Sequence, residues 1–165
     1  MTDIRVRPFV PSDKDGVIST ILPIQSEEFG IAITAADQPD LAAIPDFYQS
    51  GKGQFWVATS GGTVVGTIGL KDIGNDQAAL RKMFVAVDFR GRDRGVATAL
   101  LAELVRHAET QGLQDIYLGT TDKFLAAHRF YEKNGFVEVE KSTLPKSFPV
   151  MAVDSKFYRL RIRAT

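Results

Sequence analysis

Apolar and polar residues first alternate at Ile4-Arg5-Val6-Arg7-Pro8-Phe9-Val10, the period-two pattern of a half-buried strand. Pro8 favours a sheet edge or the strand's end. The period then changes. Val17, Ile18, Ile21 and Leu22 recur at helical spacing behind Pro11-Ser12-Asp13, which offers an N-cap, so a helix is predicted over about residues 12–22. Pro23 interrupts it, and a short helix resumes over Ile24–Phe29. Leu41, Ile44, Phe47 and Tyr48 give one apolar face to a second helix, capped by Asp37 or Asp40, running to about Ser50 and closed by Gly51 and Gly53.

Three strands follow. Gln54–Thr59 is β-branched and aromatic, Val64–Leu70 returns from it, and Ala78–Val85 comes third. Ser60-Gly61-Gly62-Thr63 is a hairpin turn, because Gly-Gly takes the positive φ angles such turns need, and Gly74-Asn75-Asp76 is a second turn. From Gly95 to Gln111, Val96, Leu100, Leu101, Leu104, Val105 and Ala108 share a helical stripe that Gly112 ends. Asp115–Thr120 is then a strand reached by a crossover helix, hence parallel to the strand before it. A helix over Phe124–Asn134, with Asp122 as its cap, a strand at Phe136–Val139, a loop over 142–149 and a closing strand at Phe157–Ile162 complete the chain. The order β-α-α-β-β-β-α-β-α-β-β is α+β with one βαβ unit inside, and 165 residues suit a single domain spanning 1–165.

Composition narrows the function more than the fold. Twenty Lys+Arg balance twenty Asp+Glu, which argues against a nucleic-acid protein held by bulk charge. No cysteine and only two histidines argue against thiolate chemistry and a His-rich metal site, so no metal is expected. No apolar run approaches the length of a membrane span, and the opening Met-Thr-Asp-Ile-Arg does not read as a signal peptide, so a cytoplasmic protein with no membrane partner is expected.

Any anion site must come from local clustering, and residues 83–105 provide it. Met83-Phe84-Val85 closes a strand, Arg90, Arg92 and Arg94 crowd a glycine-bearing loop, and Gly95 opens a helix. The first amides of a helix lack internal partners and its dipole favours negative charge there. On these residues alone, a solvated strand-to-helix turn with surface arginines remains an equal reading. Asp93 breaks the dinucleotide spacing counted from Gly91, and no phosphate-loop motif of the G-x-x-x-x-G-K-[ST] type occurs.

Two segments in order resemble the GNAT superfamily of N-acetyltransferases. Arg92-Asp93-Arg94-Gly95-Val96-Ala97 is similar to its R/Q-x-x-G-x-G/A signature, and Ala127-His128-Arg129-Phe130-Tyr131-Glu132-Lys133-Asn134-Gly135-Phe136 to its A-x-x-F-Y-E-K-x-G-F signature. The resemblance implies a central mixed sheet of about seven strands, mostly antiparallel, with one splayed parallel pair, flanked by helices in α/β/α layers. It implies acetyl transfer from acetyl-CoA, a cosubstrate, to a primary amine of a small molecule or peptide by direct attack in a ternary complex. The pantetheine arm would pair with Met83, Phe84 and Val85, and the pyrophosphate would sit on the loop with Arg90, Arg92, Arg94, Gly95, Val96, Ala97 and Thr98. Tyr131 would be the general acid that protonates the leaving thiolate. The chain departs from the pattern twice. The loop is two residues longer than is usual and carries Asp93, and Ala79 stands near where many members have a basic Glu. Glu27, Glu28 or a water chain would then have to serve as base. His128 could share the cleft, although a surface position is expected for it. The apolar segment Leu144–Met151 would cover the acceptor site or a homodimer partner, or simply pack as a loop. A non-catalytic acyl-CoA-binding or regulatory module, and a generic α/β binder of phosphate ligands, are the alternative functions.

Overall fold

The computed structural model describes residues 4–28, 30–31, 34–91, 94–122, 125–151 and 154–162, with Glu28 described by its backbone alone. One sheet of seven strands runs through it: β1 (Ile4–Pro8), β2 (Gln54–Ser60), β3 (Thr63–Gly74), β4 (Gln77–Val85), β5 (Asp115–Thr120), β6 (Val137–Val139) and β7 (Lys156–Arg161). Their order across the sheet is β1-β2-β3-β4-β5-β7-β6, and every neighbouring pair is antiparallel except β4 with β5. Both hairpin turns are two-residue loops with two positive φ angles: Gly61 (56°) and Gly62 (86°), then Asn75 (56°) and Asp76 (59°). That geometry matches the twist of the strands it joins.

Helices cover both faces. On one lie α1 (Lys14–Pro23), α2 (Pro39–Ala42) and α3 (Ile44–Phe47); on the other lie α4 (Val96–Thr110) and α5 (Leu125–Lys133). Phe9, Val17, Ile21, Leu41, Ile44, Tyr48, Phe55 and Val57 form the core of the first face. Leu100, Leu104 and Ala108 of α4 pack with Trp56, Ile68, Leu70, Ile116 and Leu118 on the second. Gly66 lets α4 approach β3, since a Cβ there would stand 3.1 Å from Leu100 and 3.2 Å from Val96.

The expected second helix is two short ones. Pro45 has no N–H to give to a carbonyl one turn back, and its ring would clash there, so the chain breaks at Ala43 (φ −137°, ψ 48°). The first helix, by contrast, continues through Pro23 into a single π turn over Ile24–Glu28.

At its start the Asp13 carboxylate receives the guanidinium of Arg7 at 2.7 and 2.8 Å and the Val10 amide at 2.9 Å. The Arg7 hydrogen bond holds the Asp13 carboxyl below the usual carboxylate range. Its stabilising contribution is therefore complete above pH of about 4 and fades as pH falls through the lowered value. Asp13→Ala is expected to cost about 1 kcal/mol at pH 7 and nothing below the folded pKa, read from urea midpoints at the two pH values.

Candidate active site

β4 and β5 pair at only three positions, Gln77 with Asp115, Ala78 with Ile116 and Ala79 with Tyr117. Both strands continue, β4 to Val85 and β5 to Thr120, with no further pairing between them among the described residues. The parallel pair is therefore splayed, and the backbone edges of Leu80–Val85 and Leu118–Thr120 face a gap, in need of outside partners. This opening lies at the carboxyl end of both strands, where α4 begins.

The helix that opens there, α4, is the one whose start the sequence offers as a candidate anion site. Gly95 stands at its N-cap in the left-handed region (φ 66°), and the Ala99 amide makes the first intrahelical bond, to the Gly95 carbonyl at 2.9 Å. The amides of Val96, Ala97 and Thr98 precede it, and no acidic side chain occupies the first turn. The Arg94 guanidinium lies over the Phe89 ring at 5.3 Å, and Arg90 donates from Nε to the Val85 carbonyl at 2.8 Å, at the outer end of β4. Arg92 and Asp93 lie outside the described residues.

Tyr131 of α5 is buried on the α4 side of the sheet, with ring centroids 5.4 Å from Phe136 and 6.1 Å from Tyr158. It shares that cluster with Leu80 and Leu118, the first residues on each side of the gap. Burial pushes its hydroxyl pKa up, so it stays a protonated donor at neutral pH. His128 is buried rather than on the surface, because its Nε2 bonds the Thr121 carbonyl at 2.9 Å beneath Tyr158. His107 is likewise structural, bonded to the Lys52 carbonyl and edge-on to Trp56.

The opposite face of the gap is polar and charged. Between Thr67–Phe84 and Gly69–Arg81 the register of β3 and β4 slips by one residue. The extra residue is Lys82, in the left-handed region at φ 55°. Its carbonyl accepts the Thr67 hydroxyl at 2.6 Å, which fixes the bulge. A bulge places two consecutive side chains on one face, here Arg81 and Lys82 toward α1–α3. Lys82 Nζ donates to Gln38 Oε1 at 2.6 Å and lies 3.7 Å from Asp40, whose other contact is the Tyr48 hydroxyl at 2.6 Å. Gln25 and Gln38 exchange reciprocal amide bonds at 3.0 Å behind them. Burial lowers the Lys82 pKa against the opposing pull of Asp40.

Arg81 is different. Its guanidinium lies 5.2 Å from the centroid of the Phe47 ring and, among the described residues, donates only to the Met151 sulfur, at 3.3 Å, a weak acceptor. Met151 ends the apolar segment that begins at Leu144, and Phe148 of that segment packs on Tyr117, Phe157 and Ala79. The segment thus covers this face of the sheet beside the gap. Glu27 is exposed on the π turn, and the Glu28 side chain lies outside the described residues.

With this geometry in place, the comparisons are specific. The profile of the acetyltransferase (GNAT) family matches residues 18–136. The chain belongs to that family. A crystal structure of a GNAT-family acetyltransferase from Staphylococcus aureus superposes with a TM-score of 0.93 at 40% identity, covering 98% of this chain and 100% of the other. A probable N-acetyltransferase family 8 member 5 from mouse is 38% identical over 63% of this chain, and a zebrafish N-acetylaspartate synthetase is 38% identical over 64%. The matched regions amount to 47% and 39% of those relatives, so the chain spans less than half their length. At the level of fold alone, an N-acetylglutamate synthase from Neisseria gonorrhoeae solved with coenzyme A and N-acetyl-glutamate superposes with a TM-score of 0.73 at 14% identity, over 99% of this chain and 36% of that one.

The bulge had a trace in the sequence. Ala78-Ala79-Leu80-Arg81-Lys82-Met83-Phe84-Val85 is apolar on both sides of a single charged pair, a break in alternation that a regular strand does not explain. Met83 and Val85 then pack on the α4 side and Phe84 on the α1 side.

Proposed function

We propose that this chain transfers the acetyl group of acetyl-CoA to a primary amine by direct attack within a ternary complex. The observation that carries the reading is the splayed gap between β4 and β5, which leads straight to the open N-terminus of α4. Met83, Phe84 and Val85 would hold the pantetheine arm through their backbone. The amides of Val96, Ala97 and Thr98, with Gly95 and the arginines Arg90, Arg92 and Arg94, would hold the pyrophosphate. Acetyl-CoA supplies the activated acyl group. Tyr131, kept protonated by burial on the α4 side of the sheet, would donate its proton to the departing sulfur.

The acceptor side suits an amine that also carries a carboxylate. Arg81 sits in the wall of the gap with its fork of donors bound, among the described residues, only to a thioether, and a carboxylate is the natural bidentate partner for it. The name of one relative, N-acetylaspartate synthetase, and that of a protein sharing the fold, N-acetylglutamate synthase, denote products of that class. A panel of amines with and without an α-carboxylate tests this, with turnover followed as free thiol. The amino acids are expected to have the higher kcat/KM. Arg81→Met is expected to raise their KM roughly tenfold or more while leaving simple amines unaffected, as loss of one charged hydrogen bond implies. Equal rates across the panel would remove the carboxylate from the reading.

A further inference from the structure

The chain lacks a carboxylate at Ala79, yet the structure brings one to the same face of the sheet from elsewhere. Ala79 and its partner Tyr117 face the cluster that includes Phe148 and Phe157, whereas Ala78, Leu80 and Leu118 face α4. By strand alternation Gly119, two residues beyond Tyr117, faces the same way as Ala79. It pairs with Phe157 of β7 but lies beyond the stretch of β5 that pairs with β4, on the wall of the gap. A Cβ on Gly119 would meet Asp154 Oδ2 at 2.5 Å and Cγ at 2.7 Å. The Asp154 carboxyl therefore rests directly on the backbone of Gly119, in space that only a glycine leaves open. The loop that carries it is tied down on both sides: Oδ2 accepts the Met151 amide at 2.8 Å, the Asp154 amide donates to the Met151 carbonyl at 3.0 Å, and the Ser155 amide donates to the Thr120 carbonyl at 2.8 Å.

Resting on the proposed acetyl transfer, we infer that Asp154 is the general base that takes the proton from the acceptor amine. It lies on one face of the gap and Tyr131 on the other, so an acyl group between the strands is flanked by a proton acceptor and a proton donor. The step balances. The amine nitrogen bonds to the thioester carbonyl carbon and the carbon–sulfur bond breaks. One N–H proton passes to the Asp154 carboxylate, and the sulfur leaves with the proton of Tyr131. Solvent then returns one proton to the tyrosine and removes one from the aspartic acid.

The groups around Asp154 fit a base and not a salt-bridge partner. Arg81 and Lys82 of β4 and Lys141 face it and favour the carboxylate, but none lies within ion-pair distance, and burial outweighs them, raising its pKa. A carboxyl above the ordinary aspartate range is a stronger base at neutral pH. This carboxylate has no motif of its own in the sequence. It becomes visible only when β7 inserts next to β5 and brings the preceding loop over Gly119.

The test uses Asp154→Asn, Gly119→Ala and the wild-type protein, measured for acetyl-CoA-induced thermal shift and for amine-dependent thiol release from pH 5.5 to 9.5. Asp154→Asn is expected to keep the thermal shift and to lose about 100-fold or more in kcat at pH 7. Its deficit should shrink as pH rises and the acceptor deprotonates on its own. Gly119→Ala, which displaces the carboxyl without removing it, is expected to lose kcat in the same direction. A wild-type protein that turns over while Asp154→Asn stays within threefold of it at pH 7 overturns the assignment. So does a variant that loses both stability and rate with an unchanged pH profile, since that describes a structural residue. A wild-type protein that binds acetyl-CoA and acetylates no amine overturns the acetyltransferase reading itself, and this assignment with it.

Discussion

Replacing Tyr131 with phenylalanine is expected to lower kcat by about 10²–10⁴-fold while leaving acetyl-CoA affinity within a factor of two or three. The ring supplies packing against Phe136, Tyr158 and Phe130, which phenylalanine keeps. The hydroxyl supplies a proton, which phenylalanine cannot. That hydroxyl makes no hydrogen bond within the described residues, so its removal orphans no buried partner and the cost in stability should be small. A large loss of kcat at unchanged melting temperature therefore isolates the chemical role. Steady-state kinetics beside a thermal melt check it. An unaltered kcat would leave Tyr131 as a packed aromatic and return the proton donor to solvent.

The second large effect separates fold from binding by sign. Ala97 lies in the first turn of α4, where no acidic residue stands. Ala97→Asp should stabilise the helix by about 0.3–1 kcal/mol, because a carboxylate complements the dipole there. The same carboxylate would repel a pyrophosphate at the same amides. Two like charges about 5 Å apart in a partly screened site cost roughly 1–3 kcal/mol, so acetyl-CoA affinity is expected to fall by about 10–100-fold. Melting temperature should hold or rise while the dissociation constant, measured by calorimetry, rises. If affinity is unchanged, the phosphates lie elsewhere. If both stability and affinity fall, the variant has disturbed the helix start itself.

How far the sequence reaches depends on whether the information is local. The strand at Asp115–Thr120 is bounded as expected, because Gly112 ends α4 before it and no competing pattern overlaps it. Gly61-Gly62 and Asn75-Asp76 dictate their own turns. The Gly95 loop and the Tyr131 helix carry their signatures within a few residues of each other, and the mixed seven-stranded sheet with one parallel pair follows from the family they point to. What stayed hidden is tertiary. No local pattern says that the last strand pairs with β5 on one edge and β6 on the other, yet this sets the position of Asp154. No propensity marks Lys82 as the inserted residue, although a hydroxyl from Thr67 and an amide from Gln38, 44 positions away in sequence, hold it there. Helical periodicity points His128 to the surface because it does not reveal the Thr121 carbonyl that its ring nitrogen meets.

The two sides of the gap divide the chemistry. On the α4 face the described residues beside the gap are mostly apolar and include Tyr131. On the α1–α3 face a bulge delivers Arg81 and Lys82, and in the 144–151 segment Met151 meets Arg81 while Phe148 packs on Tyr117 and Phe157. A thioester between β4 and β5 would meet an acid from one side and an acceptor from the other.

The most direct measurement of the whole account is thiol release from acetyl-CoA by the purified protein, with and without a panel of primary amines. Release that requires an amine, saturates in both substrates and yields the acetylated amine in equal amount is the predicted result. Tight binding of acetyl-CoA with no release across the panel, or equal stabilisation by nucleotides that lack the pantetheine arm, would contradict it.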